Sequence, residues 1–173
     1  MWFKNIRIFQ FEAPINYEPE KISQALEDLT FKPCPKSLPA SYGWVAPTGD
    51  PEHSLAFAQE NSILLRLRIE EKVLPPSVVR EAVMAEIKQI EAKTGRRIYK
   101  DEKERIRDDT YQTLLSQAFS KSTYINGYID TEKNWLIVDC ASSKRLAQFI
   151  SSLNKCLDVH VYAPETTSIP RVM

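Results

Sequence analysis

The hydrophobic and polar positions of the first 72 residues change between strand-like and helix-like spacing. Residues 3–12 are rich in Phe and Ile and predict a strand, and the apolar residues within 22–29 recur at the spacing of a helix. Five of the eleven prolines lie between residues 33 and 51, which indicates an irregular connection around a short strand at Trp44. Residues 62–72 alternate apolar with mostly charged side chains, as a half-buried strand of an antiparallel sheet does.

Two helices with narrow apolar faces are predicted in the next part of the chain. The first begins at the Pro-Pro pair 75–76 and ends at Gly95. Its apolar face consists of Val79, Val83, Ile87 and Ile90. The second begins at Asp101, which is expected to cap it with Glu104 three residues on, and continues to Ala118. Joined by a short turn, they form an antiparallel helical hairpin, which we expect to protrude because it can bury only one side of itself.

The last third of the sequence predicts further strands and one more helix. Residues 122–130 and 134–140 indicate a β-hairpin, Ser142 is expected to cap a helix, and residues 159–163 form a final strand. The element order is therefore β-α-β-β-β-α-α-β-β-α-β. Strands that follow one another, with helices grouped between them, predict an α+β fold with a mainly antiparallel sheet, packed helices and the protruding hairpin.

The length of 173 residues fits one domain, and the 43% hydrophobic share is sufficient to bury a core. We expect residues 1–74 and 122–173 to form a central α+β domain. Residues 75–121 are then an inserted helical-hairpin tip.

The composition excludes several classes of protein. The three cysteines are widely spaced and form no CxxC pair, which argues against disulfides and zinc knuckles and fits a reducing cytoplasm. The four glycines form no phosphate-binding loop, and the two histidines have no partner at metal-ligand spacing, so neither a cofactor nor a metal is predicted. No segment is apolar for long enough to act as a signal peptide or to cross a bilayer, so we expect a cytoplasmic protein without membrane contact.

The most charged window, residues 93–107, lies at the expected turn of the helical hairpin. The whole chain has a formal net charge of zero, but seven basic side chains face three acidic ones in this window. The basic residues are Lys93, Arg96, Arg97, Lys100, Lys103, Arg105 and Arg107. Long cationic side chains on a rigid support contact phosphates, so the window indicates nucleic-acid binding. The alternative is an ordinary solvated helix end with ion pairs such as Asp101 with Arg105.

Phe119 lies where the second helix of the hairpin is expected to end, close to Lys121. An exposed aromatic side chain at that place can insert into a DNA groove or stack on a base. The alternative is a hydrophobic plug that packs the helix end onto the sheet.

One enzymatic pattern is also present. Asp50 followed by Glu70 and Lys72 has the order of metal-dependent nucleases, in which two carboxylates hold Mg²⁺ and a lysine helps to activate water. Asp50 lies in a turn-like stretch, however, and Glu-x-Lys is common on solvated strand faces. We therefore expect no enzymatic activity and treat the nuclease as the weakest alternative.

Six short segments occur together in an order and at a spacing that make them specific as a set. They are Trp2–Asn5, Gly43–Pro47, Glu70–Pro75, Ala118–Ser120, Ile129–Thr131 and Val138–Lys144. On these segments the chain resembles the RdgC family of bacterial recombination-associated proteins. The resemblance covers essentially the whole sequence.

The resemblance implies a homodimer that closes into a ring around double-stranded DNA and binds it with little sequence preference. It also implies that the protein restrains the RecA recombinase by competing for DNA, and that the helical hairpin is a dimer contact at one side of the ring. Arg96 falls on a family position associated with DNA contact, and Phe119 falls on the family's aromatic residue at the ring closure.

Two features depart from the family pattern. Gln117 stands where a basic residue can be found in the family. The sequence also ends at Pro170–Met173, short of the family's usual length, so the C-terminal part that supplies the second dimer contact is not included. A closed ring is therefore not assumed.

The sequence thus predicts sequence-nonspecific binding of double-stranded DNA that limits the access of a RecA-type recombinase, in the cytoplasm and associated with the nucleoid. The expected DNA-binding residues are Lys93, Arg96, Arg97, Lys100, Lys103, Phe119 and Lys121. The main alternative is a dimerisation or interaction module whose DNA-binding part lies elsewhere.

Overall fold

The computed structural model describes residues 4–15 and 18–164, and the expected α+β class and element order are confirmed within them. The strands are β1 (Ile6–Phe11), β2 (Ala40–Val45), β3 (Ala56–Gln59), β4 (Ser62–Lys72), β5 (Ser120–Asp130), β6 (Trp135–Asp139) and β7 (Val161–Tyr162). The helices are α1 (Pro19–Glu27), α2 (Pro76–Thr94), α3 (Lys100–Gln117) and α4 (Ser143–Leu157). Trp2, Phe3 and the terminal residues Pro170–Met173 lie outside the described part of the chain.

The strands form one antiparallel sheet in the order β2-β4-β5-β6-β1-β7, with β3 paired to β4. The predicted β-hairpin is confirmed as β5 and β6, whose register places Tyr128 opposite Ile137. Its turn is held by the side chain of Asp130, which accepts hydrogen bonds from the backbone amides of Glu132 and Lys133 at 3.1 and 2.9 Å. A local Asx turn of this kind fixes the register of the two strands.

Helices α1 and α4 cover one face of the sheet and bury the main hydrophobic core against it. Strand β4 shows why, because its residues alternate between buried and half-buried along the strand, as the sequence pattern predicts. The side chain of Trp44 in β2 meets that of Phe149 in α4 edge to face, with ring centroids 5.1 Å apart. Both side chains are fully buried. This contact ties the last helix to the irregular proline-rich connection.

Gly43 in β2 permits a close approach between two backbone segments. The Trp44 amide donates to the Leu29 carbonyl at 2.8 Å, and the Phe31 amide donates to the Trp44 carbonyl at 3.0 Å. A Cβ atom at residue 43 would lie 2.4 Å from the Phe31 Cα. Only glycine avoids that collision, because backbone atoms cannot move aside as the end of a flexible side chain can.

The chain divides into two compact units. The first unit consists of residues 1–32, 42–69 and 123–173, and the second unit consists of residues 33–41 and 70–122. The first unit contains the core just described, and the second contains helices α2 and α3. The domain boundaries expected from the sequence, after residues 74 and 121, stay a prediction.

Helices α2 and α3, called the helix pair below, pack against each other across the five-residue connection 95–99. No residue of α2 is fully buried, and Leu115 is the one buried residue of α3. The predicted apolar face of α2 is half-buried throughout. The helix pair therefore leaves most of its surface to solvent, as its narrow apolar stripes predict.

The predicted capping role of Asp101 is wrong. Helix α3 begins one residue earlier, and its N-cap position is held by Tyr99, whose side chain makes no capping hydrogen bond. Asp101 lies inside the first turn, where a carboxylate is favoured by the positive end of the helix dipole. At α4 the prediction is confirmed, because the Ser142 hydroxyl accepts the Arg145 amide at 3.5 Å.

Candidate nucleic-acid interface

The turn between the two helices of the helix pair, residues 95–99, is ordered by specific contacts. Gly95 ends α2 in the left-handed conformation, with φ of 65°, and its amide donates to the Glu91 carbonyl at 2.9 Å. The Glu91 carboxylate in turn accepts the Ile98 amide at 3.0 Å, and the Ile98 side chain is buried. An apolar anchor and a carboxylate that accepts a backbone amide make this turn a firm support for its neighbours.

Arg96 forms a bidentate ion pair with Glu102 across this turn. Its two terminal nitrogens donate to the two carboxylate oxygens at 2.8 and 3.0 Å. The hydrogen bond from Arg96 lowers the pKa of Glu102, and the same bond and the charge of Glu102 raise the pKa of Arg96. Arg96 therefore presents a partly neutralised charge, and a phosphate at this position has to compete with Glu102.

Four further cations of the window are exposed to solvent. Lys93 lies in the last turn of α2, Arg97 lies in the connection, and Lys100 and Lys103 lie in the first turn of α3; all four are exposed. No carboxylate of a described residue forms an ion pair with any of them. These residues of the sequence-predicted cluster thus lie at one end of the helix pair, with four of them exposed.

Replacing Glu102 by glutamine should strengthen binding of duplex DNA, because the substitution removes one negative charge and releases Arg96 from its ion pair. The slope of log affinity against log salt should steepen by about one, the value expected for one further phosphate contact. Fluorescence anisotropy with a labelled duplex across a salt series measures both quantities. Glu104→Gln is the matched control, since it changes the charge equally but leaves the pair with Arg96 intact. Equal effects of the two substitutions would contradict a restraining role for Glu102.

Phe119 is the most exposed large hydrophobic residue described, with 87% of its surface accessible. Its backbone is fixed, since its carbonyl accepts the Val73 amide at 2.7 Å. The alternative in which Phe119 plugs the helix end is therefore wrong, because the ring packs against little of the described chain. Lys121, two residues on in β5, is also exposed. An aromatic ring and a cation on a fixed backbone are available for an external contact.

Two residues of the nuclease pattern, Asp50 and Lys72, make local contacts of their own. Asp50 organises its own turn, because its carboxylate accepts the Glu52 amide at 3.0 Å and lies 3.6 Å from the His53 ring. The Lys72 ammonium donates to the Ala118 carbonyl at 3.4 Å. In the part of the chain that the structure describes, no group of three or more His, Cys, Asp or Glu side chains is arranged to hold a metal ion. Asp50 is thus engaged in its own turn, and Lys72 contacts the end of α3.

Sequence reasoning missed Tyr99, which is 78% exposed beside Lys100 in the connection. Ile98 and Tyr99 are adjacent, and one is buried while the other faces solvent. An apolar pair at a helix-helix turn was the available signal, because a short turn can bury only one of two consecutive side chains. Tyr99 adds an aromatic surface to the cation cluster.

Comparison with known proteins gives the affiliation of the chain. Residues 1–172 match the RdgC family, described as "Putative exonuclease, RdgC". The chain belongs to the RdgC family. The recombination-associated protein RdgC of Enterobacter sp. (strain 638) is 35% identical over 170 residues, which is 98% of this chain and 56% of that protein. The proteins of the same name from Salmonella typhimurium and Salmonella typhi are each 34% identical over 157 residues, which is 91% of this chain and 52% of theirs.

The chain thus spans about half the length of the RdgC relatives that it matches. The names of these relatives connect the family with recombination, and the resemblance to RdgC expected from the six segments is confirmed. None of the described helices is long and apolar enough to cross a bilayer.

Proposed function

We propose that this RdgC-family chain binds double-stranded DNA with little sequence preference and, as a homodimer at the nucleoid, limits the access of a RecA-type recombinase. The observation that carries the proposal is the exposed cation cluster on an ordered turn in a chain of zero net charge. The charge segregation supports binding of a polyanion, because a neutral protein attracts DNA only where its cations are concentrated. The recombination-associated relatives support DNA as that polyanion.

The chemistry of the cluster favours contacts with the DNA backbone over reading of bases. Lysines and arginines at a helix-helix turn reach phosphates, which are the same at every base pair. Base reading requires an element that enters a groove and presents several planar hydrogen-bonding side chains to base edges. The cluster contains no Asn or Gln side chain between residues 93 and 107. Affinity without sequence preference is the expected consequence.

The proposal is tested by titrating the chain into two labelled duplexes of unrelated sequence across a salt series. Equal affinities with a steep salt dependence are expected, because phosphate contacts release counterions regardless of sequence. A more than tenfold higher affinity for one duplex than for the other, at every salt concentration, would contradict binding without sequence preference. No binding even at low salt would replace the proposal by a dimerisation module whose DNA-binding part lies outside this chain.

Phe119→Ala should shorten the lifetime of the protein on DNA or weaken its self-association, without changing its stability, because the ring is exposed. Sedimentation velocity measures the assembly, and dissociation after challenge with unlabelled duplex measures retention. Phe57→Ala is the control, since Phe57, in strand β3, is another exposed phenylalanine. Wild-type assembly and retention in Phe119→Ala would remove this residue from the interface.

A second candidate function, exonuclease activity, is favoured by the description of the family alone. Incubation of end-labelled linear duplex with the chain and Mg²⁺ or Mn²⁺ tests it. We expect intact DNA, since the described residues include no group of three or more His, Cys, Asp or Glu side chains arranged to hold a metal ion. Metal-dependent shortening that is abolished by Glu70→Ala would instead establish an enzyme.

A further inference from the structure

The face of the sheet opposite α1 and α4 carries an ordered row of arginine and aromatic side chains within the first unit. Because Leu65 and Leu67 of β4 are buried on the helix-covered face, Arg66 and Arg68 must point to the other face. The same alternation in β5 places Tyr124 on that face, since Ile125 is buried in the core. The two strands are neighbours in the sheet.

Aromatic rings order both guanidinium groups. The Arg68 Cζ lies 4.2 Å from the centroid of the Phe31 ring and 5.9 Å from that of Tyr124. The Arg66 Cζ also lies 5.9 Å from the centroid of the Tyr124 ring, and the Arg66 Nε donates to the Asn126 side chain at 2.7 Å. These residues, Phe31, Arg68, Tyr124, Arg66 and Asn126, are called the arginine–aromatic row.

The row is preorganised for a planar anionic ligand. A guanidinium stacked on an aromatic ring loses little further freedom when it binds, and the Nε bond of Arg66 to Asn126 leaves the terminal nitrogens as the donors for a phosphate. Tyr124 is 50% exposed, so it offers a ring surface beside both arginines.

From this geometry we propose that the arginine–aromatic row is a second nucleic-acid site, which binds unpaired bases of single-stranded DNA. Sequence-tolerant recognition of single strands combines cations that follow the backbone with aromatic side chains on which bases stack. In duplex DNA the faces of the bases are stacked on one another and are not accessible. A base can therefore stack on Tyr124, beside the two arginines, only where the strand is unpaired. An acidic peptide has charge for the arginines but no base to stack on Tyr124.

The test measures anisotropy of a labelled thymidine oligonucleotide, which forms no secondary structure, with the full chain and its variants. Arg66→Gln with Arg68→Gln should weaken binding about 25-fold at 0.1 M salt and lower the salt slope by about 1.4, as expected for two single-strand phosphate contacts. Tyr124→Leu should weaken binding at least about fivefold through lost stacking. Tyr124→Phe, which keeps the ring, should bind like the unmodified chain.

Two control variants match these changes. Tyr162→Leu alters another strand tyrosine of the first unit, with 48% exposure, and Lys36→Gln with Lys155→Gln removes two exposed charges elsewhere. Neither control should change binding of the oligonucleotide. Thermal unfolding by circular dichroism checks every variant. If the double arginine variant does not fold, the Tyr124 series decides, because a half-exposed side chain is not needed for the core.

The outcomes separate this site from the cation cluster of the helix pair. Arg97→Gln with Lys100→Gln and Lys103→Gln should lose duplex affinity and keep oligonucleotide binding, whereas the variants of the row should do the opposite. Folded row variants that bind the oligonucleotide with unmodified affinity would overturn the proposal. Displacement of the oligonucleotide by a polyglutamate peptide, as efficient as displacement by unlabelled oligonucleotide, would also overturn it. That result would show that the surface binds anions in general and does not recognise bases.

Discussion

Replacing Arg97, Lys100 and Lys103 together by glutamine should lower the affinity for duplex DNA by two to three orders of magnitude at about 0.1 M salt. Each phosphate contact contributes about 0.9 to the slope of log affinity against log salt, so three lost contacts flatten the slope by about 2.7. Extrapolated from 1 M to 0.1 M salt, that slope corresponds to roughly 500-fold in affinity. These three residues are exposed and lie around an ordered turn.

The loss should be equal on duplexes of unrelated sequence, and anisotropy titrations across a salt series measure it. Lys36→Gln with Lys155→Gln is the control for charge, because both lysines are exposed and lie outside the cluster. Its effect should remain within about threefold. A triple variant that keeps its affinity and slope, or that loses affinity for one sequence only, would remove the helix pair from the proposed duplex site.

The elements of this fold could be predicted because their signals are local. The alternation of β4 and the Pro-to-Gly limits of α2 depend on neighbours within a few residues, and both agree with the structure within one residue. The start of α3 could not be predicted in the same way. Asp101 has the right side chain for a cap, but Glu102 is engaged by Arg96, and the helix begins at Lys100. The residue at which α3 begins is set by the geometry of the preceding turn and not by the residue types alone.

The positive charge of the candidate site could be predicted from the sequence, but the ion pair between Arg96 and Glu102 could not. A dense run of cations is visible in any sequence, whereas the neutralisation of Arg96 by Glu102 depends on a six-residue separation being closed by one particular turn. The arginine–aromatic row was less accessible still. Phe31 and Arg68 are 37 positions apart, and only the order of the strands brings them within stacking distance. The alternation of β4 gave the direction of its arginines but not their partners.

The distribution of charge connects the two proposed sites. In a chain with 23 basic and 23 acidic residues, a net positive cluster at the helix pair requires excess negative charge elsewhere. A polyanion is therefore attracted to few places on this protein, and its approach is guided to them. The row needs less charge than the cluster does, since the stacking surface of Tyr124 supplements Arg66 and Arg68. One site thus depends steeply on salt, and the other depends less on it.

Phe149→Ala should lower the free energy of unfolding by about 3–5 kcal/mol, the usual effect of deleting a buried aromatic side chain. The ring is fully buried and meets Trp44 edge to face. It also fills the space left by Gly127, where a Cβ would lie 2.8 Å from the Phe149 Cζ. The surrounding sheet and helices are held by many other contacts, so the cavity cannot close by simple collapse.

Urea denaturation followed by circular dichroism measures this effect. A loss of 3–5 kcal/mol is a large part of the roughly 5–15 kcal/mol that stabilises a typical domain, so the variant should be partly unfolded at moderate urea concentrations. Phe149→Leu, which keeps most of the apolar volume, should lose under about 1.5 kcal/mol. Phe57→Ala should have a still smaller effect, because that ring is exposed. Equal midpoints for Phe149→Ala and Phe57→Ala would contradict a core in which α4 packs on the sheet through Phe149 and Trp44.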